Sequence, residues 1–449
     1  MLVPPPPVPL KVRKHLAADA LFALVRRGFN QVEDHRRDPA IPLGDVLMAA
    51  FAMFTLKDPS LLAFDERRND NNLKTLFGIG RIPSDTQMRG SLDPVDPQQL
   101  RPLFNDVFRQ MQRGKVLEPF VFHEGCYLLC TDGTGYFSSP TIHCECCLER
   151  VTKKTGAVTY EHQMLGAALV HPNFREVIPL APEPIEKQDG DNKNDCERNA
   201  GMRLLLQIRA EHPKMKFIVV EDALASNAPH IRLLGELNMR FLLGVKPGDH
   251  QHLFDQVLAA HEEGRMTNLV WQESRGQEGE VQSEISYVHG LSLNASNPDL
   301  LVNFLEYSEY GADGHRHKHF SWVTDLRITR GNAKHLVRGG RARWKIENET
   351  FNTLKNQGYH FEHNFGHGAQ HLCTVFAMLM MLAFLVDQVQ QLCCPLFRAV
   401  WAKLGTKRSL WEKLRSHFYH FCFESMRSLY EAILYDRAKE IPLPPFNTS

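Results

Sequence analysis

The chain has 449 residues, of which 43% are hydrophobic and 23% charged. A chain of this length exceeds one ordinary hydrophobic core, so we expect two or three domains in a soluble globular protein. The 52 basic and 52 acidic residues cancel, which excludes a globally basic protein. A surface that binds nucleic acid would therefore have to concentrate its positive charge locally.

The cysteines favour a protein of a reducing compartment, and the apolar segments favour one that does not span a membrane. Ten cysteines, with adjacent pairs at 146–147 and 393–394, do not resemble the framework of a secreted disulfide protein. The proline-rich first residues lack the apolar region of a signal peptide. The most apolar run, 372–386, is shorter than the roughly 20 residues that span a bilayer, so we predict a buried helix there. We expect a cytoplasmic protein.

Apolar residues at helical spacing dominate the chain up to about residue 118. We predict a helical N-terminal domain over 1–119 that binds DNA or has an accessory role. An ordinary helical bundle would show the same pattern.

From residue 120 the pattern changes to short apolar strands that alternate with helices, which is typical of an α/β domain. The predicted strands are 126–131, 163–170, 176–180, 216–221 and 240–245, and the predicted helices are 195–210 and 226–237. We interpret 120–250 as the first part of this α/β core.

A second strand-rich stretch follows, with strand signals at 269–271, 284–288, 301–307 and 320–324. We interpret 251–330 as a β-rich insertion into the core. Residues 331–370 would then complete the core, with a helix over 341–357, and 371–449 would form a helical C-terminal region.

Three carboxylates suggest a metal site. Asp132 and Asp222 each follow a predicted buried strand, and ligands of α/β proteins usually bind at that edge of the sheet. Either aspartate alone could be an ordinary turn residue. Carboxylate oxygens suit Mg²⁺ or Mn²⁺, and two such ions can activate a nucleophile and stabilise the leaving oxygen in phosphoryl transfer. A third carboxylate from the 341–357 helix would complete the site, and Glu347 is our first choice.

A basic stretch without acids leads into that helix. Residues 327–345 contain seven basic side chains: Arg327, Arg330, Lys334, Arg338, Arg341, Arg343 and Lys345. A solvated helical face would more often interleave acids. We therefore expect this stretch, and Arg338, Arg341 and Lys345 in particular, to contact a nucleic-acid backbone.

The sequence Arg343-Trp-Lys-Ile-Glu347, together with Asp132 in a Thr-Asp-Gly context and Asp222 in a Glu-Asp-Ala context, resembles bacterial insertion-sequence transposases of the DDE class over about 120–370. The resemblance implies an RNase H-like mixed sheet flanked by helices, with a β-rich insertion. It also implies that Asp132, Asp222 and Glu347 are the catalytic Mg²⁺ ligands, and that Arg343 and Lys355 contact DNA phosphates.

The chain departs from the family signature at two positions. The signature has Tyr, Arg, Glu and Lys separated by two, three and six residues. Here Gly340 occupies the tyrosine position and Leu354 the lysine position, with Lys355 one residue late. Either the helix carries a one-residue bulge, or Glu349 rather than Glu347 faces the metal.

The family chemistry implies metal-dependent cleavage at transposon ends, followed by strand transfer into target DNA. The partners would be terminal inverted repeats and target DNA, bound by a homo-oligomer that associates with the nucleoid. In relatives a tryptophan of the insertion stacks on a flipped base; Trp271 or Trp322 could do so, or could be core residues. The alternatives are an RNase H-like nuclease without strand transfer and a domesticated, inactive DNA-binding protein.

A separate signal is the Cys-x-x-Cys of Cys144 and Cys147, which suits half of a structural zinc site. The remaining ligands could be His162, Cys196, or the pair His363 and His367. Reduced, partly buried cysteines without a metal would give the same pattern.

Overall fold

The computed structural model describes residues 13–186, 196–274, 280–311 and 313–435. Over these ranges the chain is a mixed α/β protein in which helices flank one sheet of twelve strands. The predicted α/β class is therefore confirmed.

The described part of the N-terminal region, from residue 13, is helical, as predicted; residues 1–12 of the predicted domain lie outside the described residues. Its helices are α1 (Ala18–Phe29), α2 (Leu43–Leu56), α3 (Leu61–Asp65), α4 (Asn71–Thr75), α5 (Asp85–Leu92) and α6 (Arg101–Arg113). Ser84 begins α5 with a capping box, in which its side chain accepts from the Gln87 backbone N–H and the Gln87 side chain accepts from the Ser84 N–H. Helix α2 is buried along almost its whole length, so it acts as a core helix.

The strands occupy the middle of the chain. They are β1 (Val121–His123), β2 (Cys126–Ser139), β3 (Leu148–Val151), β4 (Val158–Val170), β5 (Ile178–Pro179), β6 (Glu183–Ile185), β7 (Phe217–Glu221), β8 (Arg240–Gly244), β9 (Thr267–Ser274), β10 (Glu280–Asn294), β11 (Asn297–Tyr310) and β12 (Arg316–Thr324). The order across the sheet is β3-β4-β2-β7-β8-β12-β11-β10-β9, with β1 beside β2 and with β5 and β6 beside β4.

Strand β7 pairs in parallel with both β2 and β8, whereas the other pairings are antiparallel. Parallel neighbours need crossover connections, and helices α7 (Glu197–Glu211) and α8 (Ala228–Glu236) lie in them. Every residue of β7 is buried, which explains its uninterrupted apolar sequence before Glu221.

The strand-rich stretch after β8 extends the same sheet. Helix α9 (Gln251–Glu262) comes first, and β9 to β12 then form an antiparallel meander. The last strand, β12, pairs with β8, with Val323 opposite Leu243. The predicted insertion thus continues the central sheet at its β8 edge.

Helices follow the sheet, up to residue 435. They are α10 (Ala333–Arg341), a π-helical turn (Ile346–Phe351), α11 (Asn352–Asn356), α12 (Leu372–Cys393), α13 (Pro395–Leu404), α14 (Lys407–His420) and α15 (Met426–Tyr435). The helix predicted over 341–357 is present over residues 344–356, with the π-helical turn inside it, and a short turn at 342–343 separates it from α10.

Helix α12 is the one helix of the described ranges that is long and apolar enough to cross a membrane, and its most apolar window is completely buried inside the protein. It packs against α2, and the Nζ of Lys57 lies 2.6 Å from Oδ2 of Asp387 between them. The prediction of a buried helix at 372–386 is confirmed.

Candidate active site

The sheet register brings Asp132 and Asp222 to neighbouring positions. Strands β2 and β7 run in parallel with Cys130 opposite Val220. The two aspartates each follow that pair by two residues, and both line one cavity of about 250 Å³ at this end of the sheet. Two positions 90 residues apart in sequence are therefore adjacent in space.

The local setting of Asp132 differs from the prediction, which placed it at the end of a strand. Strand β2 continues to Ser139, and Asp132 pairs with Gly166 of β4. The strand continues because β4 remains as its partner after β7 has ended. Asp222 does follow β7 directly, as predicted, and its Oδ1 accepts from the backbone N–H of Leu224 at 2.9 Å.

A buried hydrogen-bonded network holds the strand ends in place beside the aspartates. The Thr131 hydroxyl donates to Glu221, whose other oxygen lies 2.6 Å from Nε2 of His230 in α8. Burial alone would lower the pKa of His230, but the charge of Glu221 and their hydrogen bond raise it. Burial would likewise raise the pKa of Glu221, and the contact with His230 lowers it. The pair is therefore an ion pair that ties α8 to β7.

Glu347 lies in the π-helical turn, which packs beside β2. The pKa of Asp132 is raised, mainly by burial; the guanidinium of Arg343 and the N–H of Gly133 oppose the rise, and the charges of Asp222 and Glu347 add to it. The three carboxylates thus interact electrostatically. Among the described residues, the groups of potential ligand atoms that all lie within 4.8 Å of one another are elsewhere in the fold. The oxygens of these three carboxylates are therefore spread more widely than that.

Arg343 lies next to the first carboxylate. Its Nη1 is 3.2 Å from Oδ2 of Asp132, and its guanidinium stacks 4.8 Å from the ring centre of Trp344. Both side chains of the ion pair are largely shielded from solvent. Arg343 therefore offsets part of the negative charge that the carboxylates bring together.

Glu197, which the sequence analysis did not single out, is a fourth carboxylate at this site. It is the first residue of α7 and lines the same cavity. Partial burial raises its pKa, and the charges of Asp132 and Asp222 raise it further. A Cβ atom at Gly133 would lie 2.3 Å from Oε1 of Glu197, so the glycine after Asp132 makes room for this carboxylate. The glycine at position 133 was the one feature of the sequence that pointed to a further group beside Asp132.

The structure contains the one-residue bulge that the spacing of Lys355 had suggested. The turn from Ile346 to Phe351 is π-helical, and such a turn accommodates one additional residue. Oε2 of Glu349 accepts from Nε of Arg175 at 3.2 Å. Glu347 is therefore the acid whose charge acts on Asp132, and Glu349 is engaged elsewhere.

The predicted DNA-binding cations have partners within the protein. Nζ of Lys355 lies 2.8 Å from Oε1 of Glu362, and Nζ of Lys345 donates to the Phe174 carbonyl at 2.7 Å. Arg338 donates to Asn173, and Nη1 of Arg341 lies 3.4 Å from Oε1 of Glu309. The side chains of the basic stretch that are exposed to solvent are Arg327, Arg330, Lys334 and Arg338.

The two tryptophans of the strand-rich stretch differ in exposure. Trp322 is a buried core residue. Trp271 is half-buried, and Nζ of Lys334 lies 3.6 Å from its ring centre. Trp322 is therefore unavailable for stacking on a base, whereas Trp271 is partly accessible to solvent and lies beside a cation.

The predicted zinc ligands Cys144 and Cys147 lie together with His162 and His367, away from the carboxylates. Their four candidate ligand atoms are within 4.8 Å of one another. Cys196 and His363, the other residues considered, do not belong to this group.

Comparisons with known proteins do not assign the chain. No protein-family model matches it, and a search of curated proteins finds no significantly similar sequence.

Proposed function

We propose that the protein is a DNA transposase of the DDE class, which cleaves transposon ends in a metal-dependent reaction and transfers the freed strand into target DNA. The observation that carries the proposal is the register of Asp132 and Asp222 on adjacent parallel strands, with Glu347 delivered beside them.

The order of the strands supports an RNase H-like core. A long antiparallel pair, β4 and β2, is followed across the sheet by the parallel strands β7 and β8. The first two carboxylates come from β2 and from the end of β7, at the centre of this arrangement. The third comes from a helical segment after the strand-rich insertion, as the resemblance implies.

The carboxylates fit divalent ions that prefer oxygen ligands, Mg²⁺ or Mn²⁺. A pair of ions about 3.5–4 Å apart is held by carboxylates that are spread more widely than the ligands of a single ion. Asp132, Asp222 and Glu347 would hold the ions, with Glu197 adjacent. When bound, such ions supply an activated oxygen nucleophile and stabilise the leaving oxygen of a phosphodiester.

The remaining residues position the substrate and the carboxylates. The charge of Arg343 opposes the rise in the pKa of Asp132 that burial causes, and so favours the ionised carboxylate, which is the form that binds a metal. The exposed cations Arg327, Arg330, Lys334 and Arg338 lie just before the helical segment that carries Glu347. They would bind the DNA backbone without reading its sequence.

Nicking and strand-transfer assays on DNA that carries the inverted repeats flanking the gene test the proposal. We expect Asp132→Ala, Asp222→Ala and Glu347→Ala to abolish cleavage while retaining binding in gel-shift assays. Glu349→Ala is the matched control: it removes an acid two residues away in the same turn, and it should retain cleavage.

Three outcomes would change the conclusion. If Glu347→Ala still cleaves DNA and Glu349→Ala does not, the third metal ligand is Glu349. Cleaved but never joined products would identify a nuclease without strand transfer. DNA binding without cleavage by the wild-type protein in Mg²⁺ or Mn²⁺ would identify an inactive DNA-binding protein.

A further inference from the structure

Four potential metal ligands from three segments of the chain meet near the C-terminal end of β2. Strand β1 lies at the other end of β2. Cys144 and Cys147 lie in the connection between β2 and β3, His162 lies in β4, and His367 lies in the loop before α12. Cys147, His162 and His367 are buried, and Cys144 is half-buried. Two thiols and two imidazoles are thus brought together, and three of the four are shielded from water.

Four of the six distances between the ligand atoms match those of a tetrahedral site, and the other two are within 4.8 Å. The two Sγ atoms are 3.8 Å apart. Nε2 of His162 lies 3.4 Å from each Sγ, and Nε2 of His367 lies 3.5 Å from Sγ of Cys147. Zinc bonds of about 2.3 Å to sulfur and about 2.0–2.1 Å to nitrogen, at tetrahedral angles, put sulfurs about 3.8 Å apart and sulfur and nitrogen about 3.6 Å apart. We infer that Cys144, Cys147, His162 and His367 bind one zinc ion.

The chemistry of the donors favours zinc over other ions. Thiolate sulfur and imidazole nitrogen are the ligands of structural Zn²⁺, whereas Mg²⁺ and Ca²⁺ require oxygen. With four protein ligands the coordination is complete and leaves no position for a substrate. The site is therefore structural.

Aromatic side chains pack on both histidines of the site. The ring centres of Phe137 and His367 are 4.3 Å apart, and those of Tyr136 and His162 are 5.7 Å apart. Both aromatic side chains are buried and come from β2. Packing on both histidines orients the imidazoles toward the sulfurs, which stabilises the site.

The zinc ion would connect segments that the sheet leaves unconnected. His162 is paired with Phe137 across β4 and β2, the same pair of strands that carries Asp132. His367 belongs to the segment that leads into the core helix α12. The ion would thus fasten the β2–β4 hairpin to the C-terminal helices, and this role is independent of the proposed transposase activity.

A second group, Cys146, Glu186 and His371, lies beside the first, with ligand atoms also within 4.8 Å of one another. It offers three donors of mixed type and is less buried. Cys146 is one residue from Cys147 but outside the four-ligand set, so Cys146→Ser is a matched control for Cys144→Ser and Cys147→Ser.

Metal analysis of the purified full-length protein, prepared without chelators, tests the inference. We expect one zinc ion per chain in the wild type and in Cys146→Ser, and loss of zinc in Cys144→Ser and Cys147→Ser. Cys144→His replaces one ligand by another and should keep zinc. Adding a strong chelator to the wild type should lower its Tm, and added Zn²⁺ should restore it.

Cobalt substitution keeps the test decisive if the serine variants fail to fold. The wild-type protein is first stripped of metal with a chelator and then given Co²⁺. It should show the visible bands of tetrahedral cobalt and sulfur-to-cobalt charge-transfer absorption. A wild-type protein that contains no zinc and gives neither band would overturn the inference. Loss of zinc in Cys146→Ser, with retention in Cys144→Ser, would show that the ligand set is wrong.

Discussion

Gly340 lies directly against the indole of Trp322. A Cβ atom built on Gly340 would come within 2.5 Å of Cε2 and 2.6 Å of Nε1 of that ring. Helix α10 can therefore approach Trp322 of β12 this closely only because position 340 has no side chain. The indole of Trp322 thus occupies the space beside the helix that a side chain at position 340 would need.

Gly340→Ala should destabilise the protein by about 1–3 kcal/mol, the usual cost of overpacking a core with a rigid neighbour. Urea denaturation measures this loss. Gly90→Ala in α5 is the control, because a Cβ there meets nothing within 4 Å, and it should be neutral or slightly stabilising. In a double-mutant cycle, Trp322→Leu should reduce the cost of Gly340→Ala. Strictly additive effects would contradict the contact.

The buried ion pair of Lys57 and Asp387 should be strongly coupled. The Lys57 side chain is 1% exposed, and its Nζ lies 4.3 Å from the ring centres of both Tyr359 and Trp411. Lys57→Met leaves a buried carboxylate without its cation, so we expect a loss of about 3–5 kcal/mol in the free energy of unfolding.

The matched change for that pair is Lys57→Met combined with Asp387→Asn, which removes both charges and should recover part of the loss. Arg109→Ala, which breaks an exposed pair with Asp106, should cost less than about 1 kcal/mol. Equal losses in the single and the double variant would show that the charge of Asp387 is not the cause.

His212 should make stability depend on pH. Burial, with the nearby charges of Arg109, Arg209 and Arg101, lowers the pKa of His212 to about 4 in the folded protein. The pKa is about 6.5 in the unfolded chain. The neutral imidazole therefore contributes stability that is complete above pH 6.5 and is lost as the pH falls toward 4, by up to about 3 kcal/mol.

Denaturation of the wild type and of His212→Gln from pH 7 to pH 4.5 isolates this effect from other titrations. The wild type should lose stability relative to the variant as the pH falls. A difference between the two proteins that stays constant across this range would rule out a depressed pKa at His212.

The charge of Glu197 should strengthen the binding of Mg²⁺ at the proposed active site. Glu197→Gln removes a charge beside Asp132 and Asp222 without changing the size of the side chain. We expect cleavage to need about tenfold more Mg²⁺ and to recover at high Mg²⁺, as for residues that support metal ligands. Arg198→Gln, at the next position and in the same cavity, is the control. An unchanged Mg²⁺ dependence in Glu197→Gln would exclude this role.

Local patterns were sufficient for much of the secondary structure. The apolar run before Asp222 predicts β7, because a strand buried on both faces carries few polar residues. Helical spacing predicts the N-terminal helices, and the length of the run 372–386 predicts a core helix. Even the π-helical turn was one of two alternatives that the spacing of Lys355 left open.

The sites depend on information that a local pattern does not contain. The neighbouring positions of Asp132 and Asp222 follow from the register of β2 and β7, and the proximity of Glu197 follows from where α7 begins. Likewise, the sequence alone left several partners open for Cys144 and Cys147, and the fold brought His162 and His367 to them.

The amino-acid sequence by itself therefore determined many of the helices and the main strands, since periodicity and burial act over a few neighbouring residues. It also marked the acids and thiols from which sites could be built. Only the tertiary structure decided which of them meet, because pairing between strands and packing of helices join residues more than 200 positions apart, such as Cys147 and His367. These long-range contacts are fixed by the summed packing of the whole core, which no single motif encodes.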